Sequence, residues 1–419
     1  MKNAAGKKAV NKSAITINVI SILLCVFIIS VVVTAILNRS DIFSTDEFKD
    51  IMKSYLGKVP AAITETDLDT VKAVVISDTK LYLGGEDFIN AIKKNDSLAD
   101  GEEEVSISDL YKEYDLKAPI DNFNDIKLFK HLEYLSISDV ACFNGFSDIE
   151  SFKELYFLGI SDYTVSSLEP LKDYPALRSL SLNKIGNSDL SVIGSLTDLI
   201  SLSFTSNEAE DISGISGLKN LRTLYINDNK VTDISTVSKF SSLENFDFDS
   251  NSVSDISSLS SLDKLVYVSC KKNKITDISA LSGKKKLKNL DASENEISDI
   301  SVLKDSTAMQ VLSLADNKIS DLTAVGKMTE LLQLLIGNNL VENITPLKTC
   351  TKLYYLTIEK NKVTDWTALD AFGDKIYVTG KDDQLTDEKP STTEEPSTTG
   401  EPSTTDETPV TTEEPSTTD

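Results

Sequence analysis

From Leu199 onward one pattern returns every 22 residues: Leu199, Leu221, Leu243, Leu265, Leu287, Met309, Leu331 and Leu353 each open a unit reading L-x-x-L-x-L-x-x-N-x-I-x-D-I-S. The same step runs backwards through Leu177 and Leu155, and a 23-residue step reaches Leu132. A fixed period of this length with this apolar spacing belongs to chains that stack one structural unit on the next. Within a unit, positions 1, 4 and 6 (Leu221, Leu224, Ile226) point inward from a short strand, and positions 11, 14, 17 and 20 (Val231, Ile234, Val237, Phe240) return along the far side. Each buried side chain contributes about 1.5–3 kcal/mol, which offsets the ordering entropy only when neighbouring units cover it. A lone unit therefore does not fold, and the array grows by stacking.

Two polar positions keep the same step. Position 9 is Asn207, Asn229, Asn251, Asn273, Asn295, Asn317, Asn339 and Asn361. A row of amides could bind a ligand, but buried backbone must be paired, and Asn carries both donors and an acceptor. An internal ladder is the expectation. Position 13 is Asp211, Asp233, Asp255, Asp277, Asp299, Asp321 and Asp365, with Asn343 once. Calcium would require a glycine-containing acidic loop, which these units lack; capping of a tight turn is expected, since Asp is a good N-cap.

These units resemble the 22-residue leucine-rich repeats of internalin-type bacterial surface proteins, and the Ile63–Leu68 segment (ITETDL) resembles the helical cap of that family. The likeness spans about residues 46–380. It implies an α/β solenoid: a leucine-rich-repeat horseshoe with parallel strands on its concave face, short 3₁₀ turns opposite and an N-terminal helical cap. It also implies, more loosely, protein binding as in adhesion. Lys284 and Ser306 depart from the pattern, standing where position 20 should be apolar, so a looser convex side is expected there.

Outside the repeats, Ala14–Leu37 is a run of 24 residues without a charge, preceded by Lys2, Lys7, Lys8 and Lys12. About 20 apolar residues span a bilayer, and the flanking lysines place the N-terminus in the cytoplasm. One transmembrane helix, a signal anchor, is expected at 14–37, after a cytoplasmic basic segment at 1–13 and with the repeats extracellular. A cleaved signal peptide is the rival reading, but its apolar core is about 7–15 residues and ends in a small-residue site, and none stands near Ala35. Residues 41–109 read as the N-terminal cap region. Within it, Asp46–Leu56 has helical spacing, Thr64–Asp67 is a possible capping box, Val71–Ser77 is strand-like, and Glu86–Lys94 is a candidate helix before a loop at 95–104. The solenoid is expected over 110–380, closing on a strand near 374–380. Residues 381–419 are expected to be an acidic, disordered tail, since a Pro/Ser/Thr-rich run with prolines at 390, 396, 402, 409 and 415 cannot build a core; it reads as a stalk or spacer, or as a ligand for another protein.

The formal net charge of −24 argues against nucleic acid as a partner, because phosphate binding wants a basic face. Cys270 and Cys350 lie three units apart, about 14 Å along the stack at 4.8 Å per strand. That is too far for a disulfide, so both are expected as buried thiols. With one histidine and no phosphate loop or nucleophile elbow, no enzyme, metal or cofactor is expected.

Any partner is expected on the concave face, where positions 3, 5, 7 and 8 look outward. These supply the aromatics Tyr134, Phe157, Tyr225, Tyr267 and Tyr355 and an acidic band containing Asp228, Asp247, Asp249, Asp291 and Asp316. Aromatics concentrate at hot spots and a band of one sign steers a basic partner; an ordinary solvated face is the alternative. The expected function is a membrane-anchored, extracellular, adhesin-like protein that binds a protein partner. The alternative is a cell-envelope scaffold binding wall glycan or peptidoglycan.

Overall fold

A computed structural model describes residues 43, 45–59, 62–98, 105–117, 119–120 and 123–385. The 1–13 segment, the apolar run 14–37 and the Pro/Ser/Thr repeats from Pro390 lie outside these residues. Among the described residues, one sheet runs in the order β15-β14-β13-β12-β11-β10-β9-β8-β7-β6-β5-β4-β1-β2-β3. Strands β4 (Tyr134–Ser138), β5 (Phe157–Ser161), β6 (Ser179–Asn183) and β7 (Ser201–Thr205) have five residues each. Then β8 (Thr223–Tyr225), β9 (Asn245–Asp247), β10 (Tyr267–Ser269), β11 (Asn289–Asp291), β12 (Val311–Ser313), β13 (Gln333–Leu335), β14 (Tyr355–Thr357) and β15 (Tyr377–Thr379) have three. All pair in parallel with the strand one repeat away, and short 3₁₀ turns such as Ser235–Lys239 and Ser257–Ser261 close the opposite wall.

The core follows the repeat. In the unit opening at Leu243, the side chains of Leu243, Phe246, Phe248, Val253, Ile256, Leu259 and Leu262 are all buried. The asparagines form the expected ladder. Asn251 Nδ2 donates to the carbonyls of Phe248 (2.9 Å) in its own unit and Ile226 (3.0 Å) in the preceding one, while its Oδ1 accepts from Val231 N of the preceding unit (2.9 Å). Asn295 repeats this with Ala292, Cys270 and Ile275. Each amide thus satisfies groups of two repeats that the turn after the strand would leave bare.

The position-13 aspartates cap, though from one residue further out than an N-cap. Ile234 is the cap residue of the Ser235–Lys239 turn, and Asp233 Oδ1 accepts from Ser235 N at 2.7 Å. Asn343 does the same for Thr345 at 2.9 Å, so its unit keeps the turn too.

The N-terminal cap contains α1 (Asp46–Leu56), capped by Thr45, and α2 (Glu65–Leu68), where the Thr64–Asp67 capping box is complete. Strands β1 (Ala73–Ile76), β2 (Lys80–Gly84) and β3 (Tyr111–Asp115) follow, with α3 (Glu86–Ser97) between the last two. Helix α3 is longer than expected and takes in Asn95–Ser97. The chain order is broken here: β1 lies parallel to β4, and β2 and β3 continue the sheet as antiparallel strands. The unit before Leu132 contributes Phe123, Ile126 and Phe129 to the core, yet β1 fills its strand slot.

The far end of α3 is tied to the fifth repeat. The Arg222 guanidinium donates to the carbonyls of Asp96 (2.5 Å) and Leu98 (2.7 Å) and to Glu244 Oε2 (2.8 Å), while Tyr156 Oη donates to Asp96 Oδ2 (2.8 Å).

The expected fold needs one correction. Among the described residues, no helix is long and apolar enough to cross a membrane, so the architecture found is a capped solenoid without a transmembrane helix. The 14–37 run that suggested one lies outside the described residues. Cys270 and Cys350 are buried free thiols. Lys284 and Ser306 are also buried, not loose: Lys284 Nζ donates to Ser260 O at 2.7 Å and lies 3.6 Å from Asp263.

Candidate partner-binding surface

Parallel register sets like positions of successive repeats side by side, so the outward face of the sheet is built of rows. Position 3 runs Thr223, Asn245, Tyr267, Asn289, Val311, Gln333, Tyr355, Tyr377, and position 5 runs Tyr225, Asp247, Ser269, Asp291, Ser313, Leu335, Thr357, Thr379. Position 8 adds a flared edge. Asp228, Lys272, Glu294, Asp316 and Asn338 all hold φ between 53° and 56°, a left-handed conformation costly for non-glycine residues. Their backbone N–H groups bond across the repeat, as Asp228 N does to Asp249 O at 2.9 Å.

The face falls into three zones. The N-terminal zone is closed. Tyr134 and Phe157 stack with ring centroids 4.1 Å apart, and Phe88 of α3 meets Tyr134 edge-on at 5.3 Å. Both strand aromatics are buried, and so is Tyr225. These three are therefore not the exposed contacts that the repeat pattern suggested: the pattern fixes which way a side chain leaves the strand, but not what comes to cover it.

The middle zone is acidic. Asp228 and Asp316 are exposed, while Asp247, Asp249 and Asp291 are half-buried. Asp249 Oδ1 accepts from Ser269 Oγ and Lys271 N, both at 2.6 Å, and Asp247 Oδ1 accepts from Asp249 N at 3.1 Å. Asp291 Oδ1 accepts from Ser293 N at 3.0 Å. Loss of hydration, reinforced by the neighbouring carboxylates, pushes the Asp249 carboxyl up to about 6 and the Asp247 carboxyl higher still. Burial likewise raises the half-buried Tyr267 phenol, with Asp247 adding to it. Lys271, which interrupts the band, is held by Glu294 at 3.1 Å. Among the described residues, no three or more His, Cys, Asp or Glu are grouped to hold a metal ion.

The C-terminal zone is apolar. Tyr355 stacks on Tyr377 with centroids 5.7 Å apart and planes 15° apart, and Tyr377 is 63% exposed. Val311 and Leu335 are partly exposed beside them, and Gln333 Nε2 donates to Tyr354 Oη at 2.6 Å. The sequence marked Tyr355. It gave no reason to single out Tyr377, which sits on a closing strand outside the motif, or Tyr354, at a position 2 not counted as outward.

A family model described as leucine-rich repeats (2 copies) matches residues 285–327. Among solved structures, the chain is similar to an internalin (inlF) of Listeria monocytogenes, at 24% identity over 83% of this chain and 97% of that one, TM-score 0.56. An internalin C2 (inlC2) of the same organism is 26% identical over 44% of this chain and 83% of that one, TM-score 0.43. A leucine-rich-repeat protein of Leptospira interrogans is 17% identical over 61% and 79%, TM-score 0.47. No curated protein matches. The 22-residue unit, the match to the repeat model over residues 285–327 and the fold shared with the first of these structures show that this chain folds as a leucine-rich-repeat solenoid.

Proposed function

We propose that this protein binds a protein partner, in the manner of an adhesin, on the open strand face from β8 to β15. Seven strand spacings of about 4.8 Å give that stretch a width of about 34 Å. One observation carries the reading: half-buried carboxylates at Asp247, Asp249 and Asp291 stand on the same face as the stacked, outward Tyr355 and Tyr377. An incoming cation stabilises the ionised form of these partly dehydrated carboxyls, which favours a partner with a basic patch. An exposed aromatic stack beside aliphatic side chains is the kind of surface that becomes a hot spot. Action outside the cytoplasm is part of the same proposal, supported by the resemblance of the repeats to those of bacterial surface proteins.

The test is capture by the intact protein from a panel of purified host-surface proteins, with the producer's own wall fraction as the competing bait. A specific protein should be retained. Its binding should weaken at least about thirtyfold in Tyr355→Ala/Tyr377→Ala, matching a loss of roughly 2 kcal/mol, and fall further in Asp247→Lys/Asp249→Lys. Tyr134→Phe, buried beneath the cap, should change nothing. Retention of wall material alone would sink the protein-binding reading.

A further inference from the structure

The strand face does not account for an open cavity of about 420 Å³ on the flank of the solenoid, whose lining includes Asp96, Tyr156, Arg178, Asp198, Ile200 and Asn220. The end of α3 makes it. That end is bonded to Tyr156 on one side and to Arg222 on the other, so it bridges over the two intervening repeats. Arg178 and Ile200, at position 2 of those repeats, lie along the span.

The wall is rich in charge and close to neutral. Lys93 is bonded to Glu133, Arg178 lies 3.2 Å from Asp198, and Arg222 lies 2.8 Å from Glu244. An anion entering the cavity would meet Asp96 and Asp198, and a cation would meet Lys93 and two arginines. A neutral ligand with many hydroxyls meets neither penalty. A hydroxyl can donate to Asp198 and accept from an arginine N–H not used within the protein, since each guanidinium carries five donors. The Arg178 guanidinium donates through Nη1 to the Pro175 and Leu177 carbonyls (3.3 and 3.0 Å) and lies beside Asp198 through Nη2. Exposed Asn220, whose Nδ2 donates to Thr197 O at 3.0 Å, adds an amide oxygen, and half-buried Ile200 supplies an apolar floor for the C–H face of a ring, next to Tyr156, whose ring carries the Lys93 ammonium 5.6 Å from its centroid. The volume falls within the range of small-molecule sites, roughly 300–1,000 Å³.

We propose that this flank cavity is a saccharide-binding site, taking one or two neutral sugar units independently of the strand face. The site brings a second ligand class within reach of the protein-binding face, so one molecule could hold glycan and protein together.

The test uses the full chain and a panel of neutral mono- and disaccharides, read by saturation-transfer NMR and calorimetry. Saturable binding of at least one sugar is expected. It should weaken at least tenfold in Asp198→Ala and in Asn220→Ala and vanish in Ile200→Trp, which fills the floor, while Tyr355→Ala leaves it unchanged. Thermal melting of each variant within a few degrees of the parent shows that the fold persists. No saturable binding of any sugar, or equal binding by parent and Ile200→Trp, overturns the proposal. Because Tyr355 and Tyr377 lie outside the cavity, loss of protein capture without loss of sugar binding, or the reverse, separates failure of one reading from failure of the other.

Discussion

At the scale of single residues, the fold depends on side chains that do backbone work. Asn295 is buried and donates to the carbonyls of Cys270, Ala292 and Ser293 while accepting from Ile275 N. Asn295→Ala leaves those groups without partners, at about 1–3 kcal/mol for each group that water cannot reach. Chemical denaturation should show a loss of at least about 2 kcal/mol, against almost none for the exposed Lys318→Ala. Asp247 argues in the opposite direction. Its carboxyl is raised in the folded protein by dehydration and by its acidic neighbours, so the folded state holds a proton that the unfolded state releases at lower pH. The stabilisation from this protonated form is present below the ordinary carboxylate range and is lost as the pH rises through neutrality. Asp247→Asn should therefore raise the melting temperature at pH 8 and leave it nearly unchanged at pH 4. A larger gain at pH 4 than at pH 8 would contradict the assignment.

At the scale of elements, the repeats were legible and the cap was only partly so. The 22-residue step gives strand positions and core rows directly, because each apolar position is dictated by contact with an identical neighbour. Helix α1 was legible through the helical spacing of Asp46–Leu56 and α2 through the Thr64–Asp67 box, which are local signals. The pairing of β1 with β4 was not, since it joins segments about 60 residues apart and no repeat constrains it. The burial of Tyr134 and Phe157 follows from that non-local packing and was equally hidden, as was the bridge to Arg222. Arg222→Ala should release the end of α3, seen as faster amide exchange across Ala91–Leu98 with β8–β15 unchanged. On the opposite wall, Lys284 keeps an ammonium in a row that is otherwise apolar apart from Ser306, and dehydration lowers its basicity. Lys284→Leu should be neutral to stabilising by about 1–2 kcal/mol, since a well-packed apolar group often outperforms a buried ion. A large loss of stability would mean that the bond to Ser260 O matters more than the packing.

For the molecule as a whole, the body is a sum of near-identical interfaces, so its length is a free parameter. Deleting residues 265–286, one full unit, should leave a cooperatively folding protein. Deleting half a unit, 265–275, should not, and thermal melting with circular dichroism distinguishes the two. What cannot be deleted is the end. Every ladder asparagine completes the unit before it, so the last unit has no successor to complete it. Gln384 does this instead: its Oε1 accepts from Val363 N at 3.0 Å and its Nε2 donates to the carbonyls of Ile358 and Gly380 at 2.8 and 2.6 Å. One glutamine thus terminates the array whatever its length. Gene duplication could insert 22-residue blocks anywhere upstream and inherit a finished terminus, widening the binding face by about 4.8 Å each time without having to evolve a new stop.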